Sequence, residues 1–124
     1  MEHISINNLN LLKKEVDLLN KDVNIIAVSK TFSIEFIKPL LNYGHIHFGE
    51  NKVQEALEKW GDIKIERSNI NLHLIGKLQT NKVKYVVPLF DYIHSVDNLK
   101  LAEKISQQQL KNNKIMNLFI QINI

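Results

Sequence analysis

The chain predicts an α/β fold built on parallel strands, and three observations carry that reading. Short β-branched, apolar runs recur along its 124 residues. Stretches with apolar residues at helical spacing separate those runs in strict alternation. The polar residues with chemical potential gather just past the C-terminal ends of the runs, the edge at which α/β folds collect their ligands.

The elements follow in order. Ile6, Leu9, Leu12, Val16 and Leu19 fall on one helical face, which predicts a helix over about residues 5–20. Residues 23–29 form a first strand, whose Ile25-Ile26-Ala27-Val28 run is that of a strand buried on both faces. Ser33 as N-cap, Glu35 in the first turn and Gly44 as the stop predict a helix over 34–43, with Pro39 marking a kink or a later start. His45 to Phe48 is a second strand, leaving through Gly49-Glu50-Asn51. Val53, Ala56, Leu57 and Trp60 share a helix face, and Gly61 to Asn71 reads as a polar connection. Leu72 to Ile75 is a third strand, leaving through Gly76-Lys77-Leu78-Gln79, after which Thr80 caps a short helix ending near Pro88. Tyr92 to Asp97 is a fourth strand with its exit. Leu99, Ala102, Ile105 and Leu110 mark a helix over 98–111, which Asn112-Asn113 ends. Leu118 to Ile124 is a fifth strand. Such alternation implies parallel strands joined by right-handed crossovers. No linker, low-complexity tract or repeat divides residues 1–124, which read as a single domain.

Composition narrows the function. An apolar fraction of 44% and a charged fraction of 23% are those of an ordinary soluble protein. No apolar run reaches the ~18 residues of a membrane span. Residues 1–10 lack the apolar segment of a secretion signal, so a cytoplasmic protein without a membrane partner is expected. The absence of cysteine excludes disulfides, thiolate chemistry and cysteine-based zinc sites. The net charge of +3 invites a nucleic-acid partner. Against it, Arg67 is the one arginine, arginine being the usual base and phosphate reader. The lysines are scattered among acids, and lysine, asparagine and isoleucine share A/T-rich codons. No nucleic-acid partner is expected.

Lys30 is the leading candidate site residue. It stands at the exit of the first strand, within Ser29-Lys30-Thr31. With its stem against an apolar core, a lysine there loses its proton readily, and the neutral amine attacks a carbonyl to form a Schiff base. The plainer reading is that a strand ends where a charge reaches water. Asn51, Gln79, Asn81, Ser95, Asp97 and Asn123 fall at the same edge, where strand exits also need capping. His45 and His47, two apart on a strand, could bind zinc or copper. Glu50 is the only nearby carboxylate, so a structural role is favoured and no metal site is expected. His73 and His94 read as hydrogen-bonded core or rim residues. There is neither a phosphate-cradling glycine cluster nor a nucleophile elbow.

Five segments together resemble one family, the pyridoxal phosphate homeostasis proteins. They are Ala27-Val28-Ser29-Lys30-Thr31; Phe48-Gly49-Glu50-Asn51-Lys52-Val53-Gln54-Glu55; His73-Leu74-Ile75-Gly76-Lys77-Leu78-Gln79-Thr80-Asn81-Lys82; His94-Ser95-Val96-Asp97; and Gln121-Ile122-Asn123-Ile124. Their order and spacing make the match specific, and it covers essentially the whole chain. The resemblance implies a parallel (β/α) barrel like the N-terminal domain of alanine racemase. It implies pyridoxal phosphate held as a Schiff base on Lys30, with Asn51 at the rim beside it. It also implies a role in storing or delivering that cofactor rather than catalysis, so no catalytic residue is expected. Two departures stand out. Lys52 replaces a tyrosine common after Gly-Glu-Asn. A full barrel needs eight strands and about 200–250 residues, so the chain resembles the N-terminal half of the family, truncated after about five strands. The family's later phosphate-holding segments have no counterpart here. Impaired cofactor binding is therefore expected, with either self-association or a complementing C-terminal half chain. The alternatives are a non-functional or split-gene fragment and, ranked lower, a racemase- or decarboxylase-like enzyme.

Overall fold

A computed structural model describes residues 2–20 and 22–124; Met1 and Lys21 lie outside the described residues. Helices and strands alternate as α1 (Ile4–Leu19), β1 (Ala27–Val28), α2 (Ile34–Tyr43), β2 (His47–Glu50), α3 (Val53–Glu66), β3 (Asn71–Leu74), a 3-10 turn (Thr80–Lys82), α4 (Val83–Leu89), β4 (Tyr92–Val96), α5 (Leu99–Asn112) and β5 (Asn117–Ile120). The strands form one sheet in chain order, β1-β2-β3-β4-β5, and every neighbouring pair is parallel. The fold class is the α/β parallel arrangement read from the sequence.

Strand alternation divides the sheet into two faces. Phe48, Leu72, Leu74 and Ile93 are buried under α2 to α5, in a core with Ile37, Trp60, Val86, Leu101 and Ile105. The Phe48 and Trp60 rings pack with centroids 5.0 Å apart. The opposite face carries Val28, His47, Gly49, His73, Tyr92, His94 and Phe119.

Several boundaries differ from the sequence reading. Only two residues of the first strand pair, because β2 alone flanks β1. Val28 is 49% exposed, so β1 is an edge strand in this structure and not one buried on both faces. Helix α3 runs through Gly61 to Glu66, where a polar connection was expected. The helix bears the cost of an internal glycine, about 1 kcal/mol, because Trp60 and Ile63 on either side of it pack against the core. His45 precedes β2 and does not share a strand with His47. Strand β5 stops at Ile120, and all four of its residues are exposed. Other signals held. Gly44 ends α2 in the left-handed region at φ 106°, and Asn113 does the same for α5 at φ 49°. Asn98, one residue past the expected Asp97, caps α5 by accepting the Leu101 N–H at 2.8 Å.

Candidate functional site

Lys30 follows β1 directly, and the backbone on both sides of it is tied down. Ser29 is buried; its N–H donates to the Gly49 carbonyl at 2.9 Å. Its hydroxyl lies against the same carbonyl at 3.2 Å and against the Glu50 carboxylate. Glu50 is fully buried, which would cost several kcal/mol for a lone carboxylate. It accepts from Trp60 Nε1 at 3.1 Å and from Lys59 Nζ, 3.2 Å from each oxygen. The Lys59 ammonium also donates to the Ser29 carbonyl at 2.8 Å and to Glu55 Oε1 at 3.1 Å. Glu55 Oε1 in turn accepts the Thr31 N–H at 2.6 Å. That bond, followed by the one from Lys59, holds the Glu55 carboxyl below its ordinary 4.5. Thr31 sits at φ 67°. A β-branched residue in this left-handed region is strained by about 1–3 kcal/mol.

Asn51 lies at the same edge. The register pairs Val28 with Gly49, the last pair of β1 and β2, and Lys30 and Asn51 each follow two residues beyond it. Gly76, at the exit of β3, packs so closely on Asn51 that a Cβ there would collide with the asparagine's backbone and side-chain oxygens. Ser95 holds Gly76 from the other side, its hydroxyl donating to the Gly76 carbonyl at 2.8 Å. Ser95 thus stands at the C-terminal end of β4 as a buried brace. A cleft of about 240 Å³ opens beside Asn51, lined also by Lys52, Gln54, Lys77, Gln79 and Lys82.

Lower on the same face, three histidines cross three strands. His47 Nδ1 is 3.0 Å from His73 Nε2, and His73 Nδ1 is 2.9 Å from His94 Nε2. His73 stacks on Tyr92 at 4.1 Å and His94 on Phe119 at 4.5 Å. A neutral imidazole has one donor and one acceptor nitrogen. The row is therefore satisfied only when all three rings carry the proton on the same kind of nitrogen. Burial first, then the neighbouring His94 and His47, push His73 down to about 4. Burial also lowers His47 and His94. Among the described residues, no group of three or more His, Asp or Glu is placed to hold a metal ion.

One expectation about the site changes. Lys30 is exposed, so its surroundings are water and not an apolar core, a consequence of β1 lying at the sheet edge. His73 and His94 are hydrogen-bonded, as expected, and they join His47 in a row that single-strand reading does not reveal. The Glu50–Lys59–Glu55 network was also missed. Its one sequence signal was the Glu55, Lys59 spacing of four on a helix, with Glu50 only five residues earlier.

As for the cofactor that the sequence resemblance implies, the residues here fit its aldehyde end. They offer a primary amine with no hydrogen-bond partner among the described residues, on a backbone fixed at both neighbours.

Known proteins give the frame. No model of a known protein family matches the chain. It is 36% identical over 124 residues to the pyridoxal phosphate homeostasis protein of Haemophilus influenzae, covering 94% of this chain and 52% of that protein. It is 37% identical to the protein of the same name from Buchnera aphidicola of Schizaphis graminum, covering all of this chain and 56% of the relative. Among solved structures, it superposes on PipY of Synechococcus elongatus without PLP, at a TM-score of 0.81 and 36% identity, over 91% of this chain and 52% of PipY. PipY with PLP bound matches at 0.75 and 32%, over 91% and 55%. The chain spans about half the length of the curated relatives it matches. Sequence and fold together place it in the pyridoxal phosphate homeostasis protein family.

Proposed function

We propose that this chain carries the lysine side of a pyridoxal phosphate site and serves cofactor homeostasis, not catalysis. Lys30 holds the cofactor as a Schiff base, its nitrogen replacing the aldehyde oxygen, which leaves as water. Asn51 stands at the rim. Residues 1–124 act as one incomplete barrel unit, working with pyridoxal phosphate in the cytoplasm, with neither nucleic acid nor membrane as partner. The observation that carries the reading is the placement of Lys30 at the strand-exit edge, between two backbone-anchored residues. The solved relative with PLP bound supports it.

Borohydride reduction of the chain in the presence of pyridoxal phosphate, followed by peptide mapping, is expected to mark Lys30. A mark on Lys77 or Lys82 in its place would overturn the assignment. Lys30→Ala is expected to remove the visible absorbance of bound cofactor and leave the far-ultraviolet circular dichroism unchanged. The affinity of this span alone is expected to be weak. Charge-assisted bonds to a phosphate contribute about 1.5–3 kcal/mol each, and this span covers only about half the length of its curated relatives. A titration giving sub-micromolar affinity would contradict this.

A further inference from the structure

We infer that Glu55 and Lys59, one turn apart on α3, form a two-point clamp on the backbone around Lys30 and set the direction in which that lysine leaves β1. The inference rests on the reading that Lys30 carries the cofactor and adds to it the residues that position the amine.

Three features single out these contacts. The first is symmetry about the lysine. Lys59 holds the carbonyl of Ser29, the residue before it, and Glu55 holds the N–H of Thr31, the residue after it. The second is strain. Threonine does not enter the left-handed region by preference, and the Thr31 turn persists only where its surroundings over-determine it. The Glu55 contact and the Phe32 N–H to Ser29 carbonyl bond, at 3.3 Å, are the hydrogen bonds that close it. The third is rigidity behind the clamp. Lys59 is itself fixed by the fully buried Glu50, which Trp60 and the Ser29 hydroxyl also hold. A lysine has four rotatable side-chain bonds, and its amine reaches a ring held elsewhere only if its backbone points the right way. Releasing the Thr31 turn would let that backbone relax towards an extended path and redirect the amine.

Glu55 and Lys59 are positioning residues, because they act on Lys30 through its neighbours. Glu55→Ala removes the acceptor; Glu55→Gln keeps a carbonyl oxygen for the Thr31 N–H and drops the charge. Two readouts decide the role. In the cofactor-free chain, the Thr31 carbon chemical shifts report whether its φ is left-handed. With pyridoxal phosphate, borohydride reduction and peptide mapping give the Lys30 mark relative to Lys77 and Lys82. Glu55→Ala is expected to move the Thr31 shifts to extended values and to lower the Lys30 share about tenfold, the change that about 1.4 kcal/mol produces. Glu55→Gln is expected to keep both near wild type. If Glu55→Ala leaves the Thr31 shifts and the Lys30 share unchanged while wild type is marked at Lys30, the clamp is overturned and the cofactor reading stands. A wild-type chain unmarked at Lys30 overturns the cofactor reading, and with it the role given to the clamp.

Discussion

At the residue scale, the histidine row is the sharpest consequence of the parallel register. His47, His73 and His94 come from three strands, each neighbouring pair more than 20 residues apart in sequence. No spacing rule along the chain could join them, because only the pairing of Gly49 with His73 and of His73 with Tyr92 brings the rings into line. The strand exits at which Lys30 and Asn51 stand were legible from the apolar segments before them. The exposure of Lys30 was not, because it depends on which strand lies beyond β1. The row has a pH consequence. Burial holds His73 near 4, below the ordinary 6.5, so the unfolded chain binds more protons between these values and folding weakens there. Stability is expected to be greatest above about pH 6.5 and to fall as the pH drops towards 4. Glu55, held below 4.5, adds an acid loss of the same sign at lower pH. Urea midpoints measured at pH 7.5 and 5 should differ clearly in wild type and less in His73→Phe, which keeps a ring on Tyr92 but cannot be protonated. An equal loss in both chains would place the titrating group elsewhere.

At the element scale, α3 does more than its periodicity suggested. Val53, Ala56 and Trp60 were readable as a buried face, and the helix extends beyond Gly61 because packing outweighs one glycine's backbone entropy. The sequence did not reveal that the same helix also delivers Glu55 and Lys59 to the exit of β1. The Lys59–Glu50 pair is almost wholly buried, with side-chain exposures of 7% and 0%. Removing one partner of such a pair leaves an unmatched charge in the core, at a cost of about 3–5 kcal/mol. Lys59→Met is therefore expected to lower unfolding free energy by about that much. The double variant Lys59→Met, Glu50→Gln should recover part of the loss, because it leaves no bare carboxylate. A double variant no more stable than the single one would show that the cost lies in the lost Ser29 carbonyl contact and not in the stranded charge.

At the scale of the whole molecule, among the described residues, the sheet has two open edges and a face that opens to solvent at its margins. β1 pairs only with β2, and β5 only with β4. Leu118, Phe119 and Ile120 are uncharged and β-prone, and Phe119 and Ile120 are 52% and 68% exposed. An exposed, apolar, proline-free edge of this kind is a template for pairing with another chain. Helices cover the Phe48–Trp60 side, whereas Val28 and Phe119 open to solvent on the other. The 124-residue chain by itself is therefore expected to self-associate as its concentration rises, through β5 above all, unless a second chain completes the sheet. Size-exclusion chromatography at several concentrations should show the shift, and hydrogen exchange should find weak protection across residues 118–123 of the dilute chain. Phe119→Lys places a charge on that edge without touching the helix-covered core, and should return the chain towards monomer. A sharp monomer at all concentrations, with strong amide protection across 118–123, would show instead that β5 is secured by its bonds to β4 alone and that the open face is tolerated in water.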